Sequence, residues 1–308
     1  MTLSAPRATR KTVIKVKIET NKGTKVEADQ ALIVDDLEIL PVIPYEPRNG
    51  TGLYLGNERA GTLGARAGKC TFKTELRGNG SSGLDAGVAI LLQACGLVKS
   101  SEAYAMHSVI ANQKTISIDV WDDGKKKGLA GASGEWGLDF ENGGRVMLSF
   151  EFSGIWQPPI DDALPTWTPG TGGVMRAQSG TFTIDANAIK IAKGSFKMGC
   201  KVAPEYSVAA VGGIACYIIT DFDPSLTVDP EADLVAGYDF YGKHLAGTTA
   251  AIVLVVNDGT VKATFTIPAA QIKDIKSGDR DGIEIEDVTY QLNHSSGNDA
   301  MGIVAAAV

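Results

Sequence analysis

The sequence predicts a mainly β protein in which one β-rich unit occurs twice. Three observations carry this. Short segments alternate apolar and polar residues, the period of a strand with one buried face. Ile14, Val16 and Ile18 alternate with Val13, Lys15 and Lys17; Cys70, Phe72 and Leu76 alternate with Thr71, Lys73 and Glu75. Asp-Gly and Asn-Gly pairs sit between such segments, where antiparallel hairpins turn. The order strand, Asp-Gly turn, strand, glycine-bearing turn, strand runs over 114–156 and again over 250–293.

Along the chain, residues 1–12 are polar and basic and read as a flexible arm. A strand over 12–20 follows, then a strand region over 31–44 that Pro41 is expected to break. Residues 45–68 carry six glycines and no long period, which predicts a long loop. The strand "KCTFKTEL" (69–76) leads to an apolar helix over 84–97. A meander follows, "KTISIDVW", the turn "DDGKKKG", "GEWGLDF", the turn "ENGG", and "RVMLSFEFSGIW" (145–156). The triplet Lys125–Lys127 reads as a solvated hairpin tip. The Pro- and Gly-rich run over 157–173 marks a boundary. It predicts a first domain over 1–160, a linker over 161–173 and a second domain over 174–308. In the second half "KGSFKMGCKV" (193–202) matches "KCTFKTEL" at Lys69, Phe72 and Lys73 against Lys193, Phe196 and Lys197. A short helix is expected within 238–247.

Composition narrows the function. The chain has 308 residues, 44% hydrophobic and 21% charged, with 36 glycines and a net charge of −7. An acidic balance argues against a protein that grips DNA or an anionic membrane. The four cysteines (Cys70, Cys95, Cys200, Cys216) form no C-x-x-C pair and read as buried free thiols. The N-terminus has no apolar secretory core, so synthesis in the cytoplasm is expected.

Residues 78–83, "GNGSSG", spell a dinucleotide-binding fingerprint, G-x-G-x-x-G. The context opposes that reading. A strand feeding a nucleotide site is buried on both faces, whereas 69–76 alternates, and no second parallel strand ends in an acid about 20 residues on. The glycines read instead as a turn into the helix, with Ser81 or Ser82 helping to cap it, or Asp85 in its first turn. His107, His244 and His294 stand apart from one another and from the cysteines, so no metal spacing is visible. The acidic run 278–287 lacks the full spacing of a calcium loop. It reads as a polar turn into a strand on which Glu284 and Glu286 share a solvated acidic face. No catalytic residue and no cofactor is predicted, and an assembly or binding protein is favoured over an enzyme.

Three stretches carry a family resemblance: "RAGKCTFKTELRGNGSSGLDAGVAILLQACGL" (66–97), "GEWGLDFENGGRVMLSFEFSG" (134–154) and "DPSLTVDPEADLVAGYDFYG" (223–242). Together they resemble the major tail tube proteins of long-tailed bacteriophages, with a non-contractile tail favoured. The resemblance implies a fold of two tandem tube-like domains. Each would have two packed antiparallel sheets (a sandwich or half-barrel), a flanking short helix and a long loop. It implies a structural virion protein of the tail, a homotrimer forming a pseudo-hexameric ring. Stacked rings would make a hollow tube that conducts genomic DNA into the host. Its partners would be other copies of itself and the tape measure, tail terminator and distal tail proteins. Double-stranded DNA would pass without specific binding, and no membrane is involved. The candidate contacts between subunits or rings are Arg7 and Arg10 of the arm and Tyr54, Asn57, Glu58 and Arg59 of the loop. Glu284 and Glu286 are the candidate acidic lumen face. The alternative is a β-sandwich module that binds carbohydrate or another ligand on Trp121, Trp136, Trp156 or Trp167.

Overall fold

The computed structural model describes residues 11–52 and 59–308, the side chain of Ser179 excepted. The first half contains β1 (Thr12–Ile18), β2 (Gln30–Leu32), β3 (Val34–Val42), β4 (Tyr45–Glu46), β5 (Thr62–Leu63) and β6 (Ala67–Glu75). Helix α1 (Ala86–Ala94), β7 (Leu97–Ser100), β8 (Ala103–Met106), β9 (Ile116–Asp122), β10 (Lys125–Glu141) and β11 (Met147–Asp161) complete it. The second half contains β12 (Arg176–Ile184), β13 (Asn187–Ala188), β14 (Ile191–Lys197), β15 (Cys200–Tyr206), β16 (Ile214–Phe222) and β17 (Ser225–Pro230). Helix α2 (Phe240–Ala246), β18 (Thr249–Asn257), β19 (Val261–Arg280), β20 (Ile283–Asn293) and β21 (Gly302–Ala307) follow.

The molecule is mainly β, with large antiparallel sheets, and one strand order occurs twice in it. In the first half the strands pair as β2–β1–β9–β10–β11–β6–β3. In the second half they pair as β13–β12–β18–β19–β20–β17–β14. Every pairing is antiparallel. A hairpin lies between corresponding strands in each half, β4–β5 between β3 and β6 in one and β15–β16 between β14 and β17 in the other. A helix precedes β9 and β18 alike. Even a defect recurs: β3 and β14 each carry one extra residue against their partner, between Asp35 and Glu38 and between Ile191 and Gly194. The equivalence corrects one sequence match. "KCTFKTEL" is β6 and "KGSFK" lies in β14, but β14 holds the place of β3, while β6 corresponds to β17.

The meander strands form where alternation and turns direct them. β9 and β10 turn at Asp123 and Gly124, both at positive φ, as a tight primed hairpin needs. The turn is shorter than expected, and the lysines are inside β10. Lys126 is only 7% exposed. It lies over the Trp121 ring, 4.7 Å from the centroid, and binds Glu27 and the buried Asp119. The triplet is therefore not a solvated tip: in a strand its middle residue points to the opposite face from its neighbours. β3 runs through Pro41 because it is an edge strand, where a missing N–H is tolerated.

The two long strands, β10 and β19, serve two sheets each. β10 bulges between Ala130 and Ser133, with Gly131 at φ 57. Before the bulge it pairs with β9; beyond it, Gly137–Glu141 pairs with Lys193–Lys197 of β14. That joint unites the halves in one sheet, β3–β6–β11–β10–β14–β17–β20–β19. A second link pairs β8 with β21. The core is likewise continuous: the rings of Trp136 and Phe196 meet 4.9 Å apart.

The glycine fingerprint is a filled turn. Asn79 Oδ1 accepts the backbone N–H groups of Ser81, Ser82 and Gly83, leaving them unavailable to a phosphate. Asp85, not a serine, is the N-cap, accepting from the N–H of Gly87 and Val88.

Candidate functional site

The feature with functional potential is the sheet that crosses both halves. One face carries Cys70, Phe72, Leu138, Phe150, Phe196, Leu226 and Tyr290 into the core. The opposite face is polar and open to solvent. It carries cross-strand contacts: Lys69 to Glu151 at 2.6 Å, Arg145 to Glu75 at 2.6 Å, and Thr227 to Thr289 at 3.2 Å. At the joint, Ser195 Oγ donates to Asp139 at 2.7 Å, and Glu141 stands opposite Lys193. An open depression spans the joint, lined in part by Asp139, Glu141, Arg145, Lys193, Thr227 and Asp287. Acids and bases alternate across this face, so it offers phosphates no continuous basic stripe.

Glu284 and Glu286 do share a sheet face, but it is the face that carries Val288, Tyr290 and Leu292 into the core. Glu284 is exposed at its end. Glu286 is 8% exposed, and its Oε2 has no hydrogen-bond partner among the described residues. Burial, with Glu284 and Asp239 nearby, raises its pKa. The expectation of a solvated acidic pair is corrected for Glu286. The alternation of "IEIED" fixes that the two acids lie together, not which side is wet; the outward acid of this strand is Asp287.

Of the six candidate contact residues, Arg7, Arg10, Tyr54, Asn57 and Glu58 lie outside the described residues. Arg59 is exposed in a bend, ahead of β5. The loop over 45–68 contains the short hairpin β4–β5 and presents Tyr45 and Leu63 to solvent. Its counterpart, β15–β16, is packed down on the first half. Gln113 exchanges two hydrogen bonds with the Ile219 backbone, at 2.8 and 3.0 Å, and Ser133 Oγ donates to the Tyr217 carbonyl.

All four cysteines are buried and free, and burial pushes the Cys70 and Cys216 thiols up to about 12, with Glu205 adding to the shift at Cys216. Trp121, Trp136 and Trp156 are buried and Trp167 is exposed, so three of the four rings offered as a carbohydrate platform are core residues. Among the described residues no group of His, Cys, Asp and Glu is arranged to hold a metal ion, and no helix is long and apolar enough to cross a membrane. No family model and no curated protein matches the sequence.

Proposed function

We propose that this chain is the subunit of a hollow tube, the major tail tube protein of a long-tailed bacteriophage, with two tube domains in tandem. The observation that carries the reading is the repeated strand order, with its repeated hairpin, helix and bulge. A chain holding two equivalent units side by side supplies two segments of a ring wall, and three such chains supply six. The sequence stretches 66–97, 134–154 and 223–242, which resemble tail tube proteins, fall in both halves and supply the identity of the tube.

The mechanism is passive. A conduit must enclose DNA without holding it, and retention on DNA comes from lysines and arginines that displace counterions from phosphates. The polar sheet face meets this requirement by pairing its bases with acids, as in Lys69 with Glu151. The net charge of −7 adds a weak repulsion at long range. The reading is tested by imaging the purified chain at rising concentration and measuring its retention of double-stranded DNA at low salt. Hollow rings or tubes that do not retain DNA support it. Solid or closed particles, or tight DNA binding, overturn it.

A further inference from the structure

The joint between the two halves has an unused counterpart. β10 pairs with β9 along its first part, and its last part, Gly137–Glu141, is covered by β14. β19 repeats the arrangement: Lys262–Gln271 pairs with β18, while the stretch beyond, up to Arg280, pairs with β20 on one side only. On its other side no strand lies among the described residues. Helix α2 touches the stretch through Tyr241 on the Ser277 hydroxyl and His244 on the Ile272 carbonyl. At the far end of the sheet, β3 has the place of β14 but pairs with β6 alone. Its outer edge is open among the described residues, with Leu40 49% exposed beside exposed Val42. An open, partly apolar strand edge is a template for another strand.

We propose that a second copy of this chain fills the gap. Its β3 adds antiparallel to the free stretch of β19, in the image of β14 on β10. The two edges are different surfaces, so the contact is head-to-tail, and repetition builds a ring or a helix according to the rotation per step. This deepens the tube reading and rests on it for the closed form.

Charge favours the pairing. β3 is acidic, with Asp35, Asp36 and Glu38, whereas the free stretch of β19 is net basic: Lys273, Lys276 and Arg280 stand beside Asp274 and Asp279, with Lys276 paired to Asp274 and Arg280 to Asp229 and Glu231 within the chain. Antiparallel alignment brings Lys276 toward Glu38. Within the chain the polarity is reversed: Asp139 and Glu141 lie on β10, Lys193 and Lys197 on β14. β3 placed on β10 would meet like charge, so the two joints do not exchange partners. Burial agrees. The first unit is covered by β15–β16, and α1 is buried on most sides. The second unit lacks that cover: Leu245 of α2 is 87% exposed, and Leu234 and Val235, ahead of α2 in the chain, are exposed as well. The hairpin equivalent to β15–β16 is β4–β5, which follows β3 and would arrive with it, bringing Tyr45 and Leu63.

Glu38→Lys and Lys276→Glu, singly and together in one chain, test the joint. Each is a change at an exposed residue. Either alone is expected to raise the concentration needed for self-association about tenfold or more, and the double variant to restore it. In parallel, Leu40→Cys with Asp274→Cys, which stand opposite one another when Glu38 stands opposite Lys276, should give an intermolecular link with a short bifunctional maleimide, found by mass spectrometry; the four native thiols are buried. If the wild type forms rings but neither reversal weakens them and no link joins these strands, the joint is wrong and the tube reading stands. A wild type that stays monomeric at every concentration overturns both.

Discussion

Leu138 and Phe196 face each other across the β10–β14 joint, and both are buried. This pair, with Trp136 against the Phe196 ring, makes the halves share one core instead of meeting at a polar surface. Phe196→Ala should therefore cost about 3–5 kcal/mol, the range for an aromatic truncated in a core. Urea unfolding followed by tryptophan fluorescence measures it. A loss below about 1 kcal/mol would mean that the halves fold apart.

The buried charges at the β1–β9–β10 corner are a second test. Asp119 is fully buried; it accepts from the Ala28 N–H and pairs with Lys25 and Lys126. Removing one member of such a group strands the others, which costs about 3–5 kcal/mol. Asp119→Ala should show this loss in chemical denaturation. Lys126→Ala should be strongly destabilising while Lys125→Ala, one position away on the exposed face, stays within about 0.5 kcal/mol. Equal effects at both lysines would restore the solvated-tip reading.

Glu286 gives a pH dependence of definite sign. Its pKa in the folded protein lies above the ordinary 4.5, so the folded state binds the proton more tightly than the unfolded state does. Stability from this residue is therefore lost as pH rises from near 4.5 through the raised value. Glu286→Gln, which removes the buried charge and keeps the side-chain shape, should stabilise the protein at pH 7. The gain should vanish below pH 4.5. Parallel thermal melts of the variant and the wild type across this range read it, and a gain that persists at low pH would contradict the account.

The Gln113 amide holds the β15–β16 hairpin against the first half by two bonds to Ile219. Gln113→Ala should raise the hydrogen-exchange rate of the Ile219 amide by about fivefold, since one lost bond of about 1 kcal/mol leaves that amide without its acceptor. Unchanged exchange there would show that packing alone fixes the hairpin.

The meander of each half was legible because its signals are local. Alternation in β6 and β9 and the Asp-Gly turns at 123–124 and 258–259 specify hairpins without help from the rest of the chain. The short helix over Phe240–Ala246 was legible too. What was not legible is long-range. Nothing near Gly137 announces that Lys193–Lys197 will lie beside it, and the β7–β8 hairpin and β21 have too few alternating residues to stand out. Glu286 was misplaced because a period of two says which residues lie together, not which side faces water. The lysine triplet was misplaced because charge suggests solvent, while Asp119 and Trp121, contributed by the preceding strand, give Lys126 a buried site.

The central claim is that one chain carries two equivalent segments of a ring wall. Electron microscopy of the purified protein over a range of concentrations, with class averages viewed down the particle axis, tests it most directly. The account predicts rings with an open channel, three-fold symmetry and six similar wall segments. Particles that remain single chains at the highest concentration, or closed assemblies without a channel, would contradict it.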